Sequence, residues 1–141
     1  MTDAPQPPVL DGVLETALYV DYLDAAIDFY GRILGFETIQ NVHGRHVFFR
    51  IGKSILLIFN PEATEKPTQN KHLPVPPHGA RGAGHVCFST TRDGIAKLRK
   101  SLVAQGVAIE SEFDWPNGAR SLYVRDPAGN SVEFAEKWLW D

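Results

Sequence analysis

Apolar and polar positions change period along this chain, and the changes come in the same order twice. "LETALYV" (14–20) is β-branched and aromatic, as a strand should be. In "DYLDAAIDFYGRILG", Leu23, Ala26, Ile27, Tyr30, Ile33 and Leu34 recur at helical spacing. Asp21 is placed to cap the start of that helix, and Gly35 to close it in a left-handed conformation. "FETIQ", "RHVFFRIG" and "SILLIFN" follow as three strands separated by short turns. The order then repeats. "GHVCFST" is a strand, and "DGIAKLRKSLVAQG" is a helix with Ile95, Leu98 and Leu102 on one face and Gly106 at its end. "VAIESEF", "RSLYVR" and "NSVEFAE" are three more strands, joined by turns at Pro116-Asn117-Gly118 and at "DPAGN" (126–130).

Two strand–helix–strand–strand–strand units in one chain predict an α+β fold: two βαβββ modules whose mixed sheets form a cup, with the helices outside. The expected divisions are a flexible lead (1–13), the first module (14–60), a Pro-rich connection (61–83), the second module (84–137) and a short tail (138–141). The connection has no periodicity and is long for a small domain, which suits a lid, an interface arm or a disordered link. Trp138 and Trp140 are expected to pack on the neighbouring module or on a second chain.

The repeat also aligns chemistry. Leu14-Glu15-Thr16-Ala17 lies in register with Gly84-His85-Val86-Cys87, so Glu15 and His85 are equivalent. "GKSILLIF" aligned on "GNSVEFAE" sets Leu56 opposite Glu133. Glu15, His85 and Glu133 are thus three metal-capable groups at matching strand positions. Two carboxylates and an imidazole suit a divalent cation with open coordination positions, acting as a Lewis acid. Oxygen activation at iron normally uses two His and one carboxylate, so Lewis-acid chemistry is preferred. His46 and His78 are acid–base or extra-ligand candidates, or simply surface histidines. Arg120 could anchor an anionic substrate or be an ordinary surface Arg. Trp115, Phe48, Phe49 and Tyr123 would be cup walls if they face it, and core otherwise.

Composition narrows the class. The 141 residues carry a net charge of −3, and Lys and Arg are dispersed, so no nucleic-acid surface is expected. No apolar stretch is long enough to span a bilayer, and the N-terminus lacks a signal-peptide pattern. The single Cys87 fits a reducing, cytoplasmic setting and is expected to be a buried, inert thiol.

"LETALYVDYLDAAIDFYGRILGFE", "GAGHVCFST" and "SLYVRDPAGNSVEF" resemble the vicinal oxygen chelate superfamily over residues 14–135. It includes glyoxalase I, bleomycin-resistance proteins, fosfomycin-resistance thiol transferases, methylmalonyl-CoA epimerase and extradiol dioxygenases. The resemblance implies a divalent metal (Zn, Mn, Ni or Fe) held by Glu15, His85 and Glu133, with Glu15 or Glu133 shuttling a proton. It implies a small oxygen-bearing substrate handled by isomerisation, lyase action or thiol addition. A metal-free drug-binding protein and an iron-dependent dioxygenase are the alternatives. Glyoxalase I has a further Glu where Leu56 aligns. Many members are homodimers, sometimes with exchanged modules, so Glu15 and His85 would meet either within one chain or across two.

Overall fold

The computed structural model describes residues 3–141. The first module runs β1 (Glu15–Tyr19), α1 (Leu23–Ala26), β2 (Glu37–Val42), β3 (His46–Ile51) and β4 (Ser54–Phe59). Helix α1 continues without a break into a π-helical segment, Ile27–Ile33. A one-turn helix, α2 (Pro61–Thr64), opens the connection. The second module runs β5 (His85–Thr90), α3 (Arg92–Ala104), β6 (Ser111–Asp114), β7 (Arg120–Arg125) and β8 (Ser131–Glu136). Each module forms one four-stranded sheet, ordered β1-β4-β3-β2 and β5-β8-β7-β6. β1 pairs in parallel with β4 and β5 with β8, as a helical crossover requires, and the other pairs are antiparallel. This is the α+β duplicated fold that the repeat predicts.

Local chemistry explains most of the boundaries. Thr91 caps α3 by accepting from Gly94 N, and Asn60 caps α2 by accepting from Glu62 N. The expected cap at Asp21 is absent: α1 starts at Tyr22 with no side-chain hydrogen bond. Gly35 and Gly106 end their helices at φ 75° and 78°, the left-handed values a Cβ would penalise. β6 is shorter than "VAIESEF", because only its last part joins the ladder.

Side-chain alternation gives each sheet two unlike faces. Leu18, Val47, Phe49, Leu56 and Ile58 of the first sheet join Val86, Leu122, Val124, Val132 and Phe134 of the second in one continuous core. Phe29, Tyr30, Ile95 and Leu102 cover it from the helices. The opposite, concave faces are not packed by helix.

This alternation corrects the repeat alignment by one residue. Glu15 pairs with Ile55, and its equivalent His85 pairs with Ser131, so Ile55 matches Ser131 and Leu57 matches Glu133. The antiparallel partners agree: Phe48 lies opposite Leu57, and Tyr123 opposite Glu133. Leu56 faces the core and is 1% exposed. The apolar counterpart of Glu133 is Leu57.

A buried polar turn locks the modules together. Asp126 accepts from the hydroxyl of Tyr30 at 2.7 Å and from Asn130 Nδ2 at 2.9 Å. Asn130 also donates to the carbonyl of Tyr19 and accepts from Gly84 N at 2.7 Å. Burial, then the Asp126 charge, pushes the Tyr30 phenol well above its usual range, so it stays a donor. Tyr30→Phe removes one hydrogen bond to a buried carboxylate and should cost about 2 kcal/mol. Urea unfolding should show a lower midpoint at unchanged slope; an unchanged midpoint would refute the account.

Candidate functional site

The concave face of the second sheet centres on Glu133, which is 5% exposed. A carboxylate this buried requires partners. Ser121, on β7, donates its hydroxyl to Glu133 Oε2 at 2.6 Å. Trp115 Nε1 in turn donates to Ser121 Oγ at 2.8 Å. An indole N–H can only donate, so the Ser121 hydrogen is directed onto the carboxylate. The thiol of Cys87 and the phenol of Tyr123 lie close to the same group. Burial first, then Glu133, pushes each of them up to about 12.

His85 meets the other carboxylate oxygen, Nε2 to Oε1, at 3.2 Å. Its Nδ1 lies 3.1 Å from the carbonyl oxygen of Ser131 and 3.2 Å from Ser131 Oγ. The carbonyl can only accept, which favours the tautomer with hydrogen on Nδ1. In the neutral ring, Nε2 then turns a lone pair toward Glu133. A proton or a cation between the two reconciles them. This is the arrangement in which a backbone carbonyl orients a metal-binding imidazole, so the donor set fits a divalent cation. Tyr123 flanks His85 at 6.3 Å between ring centroids and stacks on Phe113 at 5.9 Å.

The structure brings together two of the three expected ligands. Glu15 lies exposed on β1, an edge strand. Among the described residues no group of three or more His, Cys, Asp or Glu side chains is gathered closely enough to hold a metal ion. Glu15 and His85 both border a cavity of about 420 Å³ at the seam between β1 and β5, which Glu133 does not line.

The first sheet carries the larger cavity, about 990 Å³, between its concave face and the 63–78 segment of the connection. Its floor is aromatic. His46 stacks on Phe48 at 4.0 Å and 8°, and Phe59 meets His46, Phe48 and His78 edge-on. Tyr19 shares a 2.7 Å hydrogen bond with His78 Nδ1. His46 is 8% exposed, with Nε2 2.7 Å from Gln40 Oε1 and Nδ1 without a partner. Burial, then the Arg45 charge, lowers its pKa, so the imidazole is held toward its neutral form.

Several expectations change. Arg120 is no free anion anchor: Nε and Nη2 bind Asp114, and Nη1 binds Glu112, which is also held by Arg99. Trp115 is a hydrogen-bond donor to Ser121 as well as a wall. Phe48 and Tyr123 are equivalent and each faces its own cup, whereas Phe49 is core. Cys87 is on the exposed concave side and is not buried. Trp138 lies beside Gly118 of its own module, and Trp140 is 92% exposed and is not packed on the first module. Ser121, Tyr19, Gln40 and Arg45 went unrecognised in the sequence. Strand alternation from Tyr123 and Phe48 is the signal that reaches Ser121, since it lies two residues from Tyr123 on the same face.

Comparison with known proteins agrees with this architecture. Residues 12–134 match the model of the Glyoxalase/Bleomycin resistance protein/Dioxygenase superfamily, and the chain belongs to that superfamily. A solved lactoylglutathione lyase from Agrobacterium tumefaciens is 41% identical, with a TM-score of 0.88 over 96% of this chain and 98% of that one. An integron cassette protein from the Halifax Harbour sewage outfall metagenome is 24% identical, with a TM-score of 0.71 over 90% of this chain and 99% of the other. A superfamily member from Sphaerobacter thermophilus is 22% identical, with a TM-score of 0.68 over 91% and 98%. Among curated protein sequences none matches this chain. No helix among the described residues is long and apolar enough to cross a membrane.

The Arg120 network gives a pH test. Hydrogen bonds from Arg120 hold the Asp114 carboxyl down at about 2, and Arg99 first, then Arg120, lowers Glu112. Carboxyls with depressed folded pKa values contribute stability that is complete above their unfolded range and lost as pH falls through the folded values. The stability gap between wild type and Arg120→Met should therefore be largest at neutral pH and close between roughly pH 5 and pH 2. Denaturant midpoints across that range measure it, and a gap independent of pH would contradict the assignment.

Proposed function

We propose that the protein is a glyoxalase-like enzyme in which His85 and Glu133 hold a divalent cation, with Glu15 of a second copy as the third protein ligand. The observation that carries this reading is the 3.2 Å approach of His85 Nε2 to Glu133, with Nδ1 turned to the Ser131 carbonyl. Glu15 supports it, because it is exposed on an edge strand and joins no group of three metal-capable side chains among the described residues. The lactoylglutathione lyase neighbour favours lyase or isomerase chemistry on a small oxygen-bearing substrate. The apolar Leu57, at the place equivalent to Glu133, leaves the first module without a matching carboxylate.

A cation bound there supplies Lewis-acid polarisation of a substrate oxygen. The chain's own residues do the rest. Ser121, held by Trp115, fixes one Glu133 oxygen and leaves the other directed at His85. Glu133 can accept a proton from a bound carbon acid and return it, with Ser121 keeping the carboxylate from turning. Tyr123 and Phe113 wall the site and limit water.

Protein purified without chelator should contain about one metal ion per chain, and His85→Ala or Glu133→Ala should lose it. Mixing Glu15→Ala with Glu133→Ala after subunit exchange should restore roughly a quarter of wild-type metal sites and activity, because half of the resulting dimers keep one intact site. No restoration would defeat the shared site. No metal under any loading condition would favour a metal-free binding protein.

A further inference from the structure

The larger cavity is the one feature that the metal reading leaves unexplained. His46 and Phe48 lie one on the other, parallel to within 8° at 4.0 Å, so the pair offers an outer ring face to a ligand, with Phe59 edge-on beside it. Such a surface favours a ligand that is itself planar, because offset stacking and edge-on contacts need a ring on both sides. Its charge is arranged along the strands. Arg45 and Lys66 line the cavity, and neither forms an ion pair among the described residues. The nearby Glu65 is taken by Arg81. Glu15 is the single acidic residue in the lining.

The cations and the acid lie at opposite ends. Tyr19 pairs with Phe59, and Phe59 with His46, which is next to Arg45. Glu15 is four residues back along β1, at the far end of the sheet, or about 13 Å away at the rise of a strand. Unpaired cations beside an aromatic floor are kept exposed at the cost of the pairing that would stabilise them, and they match an anion delivered with a ring.

We propose that this cavity binds a planar aromatic acid, with its ring extending the His46–Phe48 stack beside Phe59 and its acid group held by Arg45 and Lys66. The ligand's other end then points along β1 toward Glu15. That orientation, but not the binding itself, rests on the proposed function: it directs the non-acidic end of the substrate to the ligand contributed by β1.

Isothermal titration with 2-naphthoate tests it, with 2-naphthalenemethanol and cyclohexanecarboxylate as the neutral and the non-planar controls. The expected result is one naphthoate per chain, with each control weaker by about tenfold or more. Arg45→Met should weaken naphthoate about tenfold while leaving the neutral alcohol unchanged, since the apolar stem is kept. Phe48→Ala should weaken both aromatic probes, with a circular dichroism spectrum like wild type as the check on folding. The ring C–H resonances of His46 and His78 should shift on binding, and those of His43 and His72 should not. Equal affinity for acid and alcohol, indifference to Arg45→Met, or shifts confined to His85 would overturn the assignment. Repeating the titration on metal-free His85→Ala separates the two readings, because binding there should persist even if the metal site proves wrong.

Discussion

The buried Asp126–Asn130 turn is the constraint from which the rest of the arrangement follows. It joins β7 to β8, yet its side chains reach the start of β5, the end of β1 and the middle of the first helix. The side chain of Asn130, 1% exposed, makes three hydrogen bonds, and its partners come from two modules at once. Holding Gly84 N on Asn130 Oδ1 sets the first rung of the β5–β8 ladder, where Ser131 N donates to the Gly84 carbonyl. Every later rung follows from that one, including His85 opposite Ser131 and Cys87 opposite Glu133. The approach of His85 to Glu133 is therefore a consequence of register, and register is a consequence of the turn.

The two cups hold different kinds of chemistry on equivalent strands. Around Glu133 the equivalent positions are a carboxylate, a hydroxyl and a phenol. In the first sheet they are Leu57, His46 and Phe48. The second cup concentrates hydrogen bonds on a single buried charge, and low local polarity strengthens them. The first cup spreads its interaction over ring faces. A duplicated unit can diverge in this way because the core side chains of each strand point away from the cup, so cup residues change without disturbing the packing.

Legibility in the sequence followed the same division. The order of elements was readable because helices and strands differ in period, and the family because its helix and last hairpin are distinctive. The one-residue slip at Leu56 has a physical origin. "SILLIF" is apolar on both faces, since the first cup is itself lined by Leu57 and Phe59, so alternation offers nothing to align. In β8 the charge at Glu133 breaks the run and marks the face. Glu15 and His85 were matched correctly because each stands just inside an opening strand. The ion pairs that occupy Arg120 come from Glu112 and Asp114 of β6, and Arg99 of α3 holds the same Glu112, a contact from outside the hairpin. The Asp21 cap failed because the first turn of α1 takes no side-chain cap at all.

The first helix carries its own surplus. Between Ile27 and Ile33 it is wound more loosely than an α-helix, with Leu34 N donating to the carbonyl of Phe29 five residues back. The wider winding lets consecutive residues Phe29 and Tyr30 both face inward, with their rings meeting edge-on at 4.9 Å. It amounts to a residue stored within the helix. Losing one residue from this segment would be absorbed by tightening it to an ordinary helix, which keeps the flanks nearly in register but no longer turns two consecutive rings inward. Tyr30 is the ring that reaches Asp126, so the loose winding of this segment is tied to a contact in the other module.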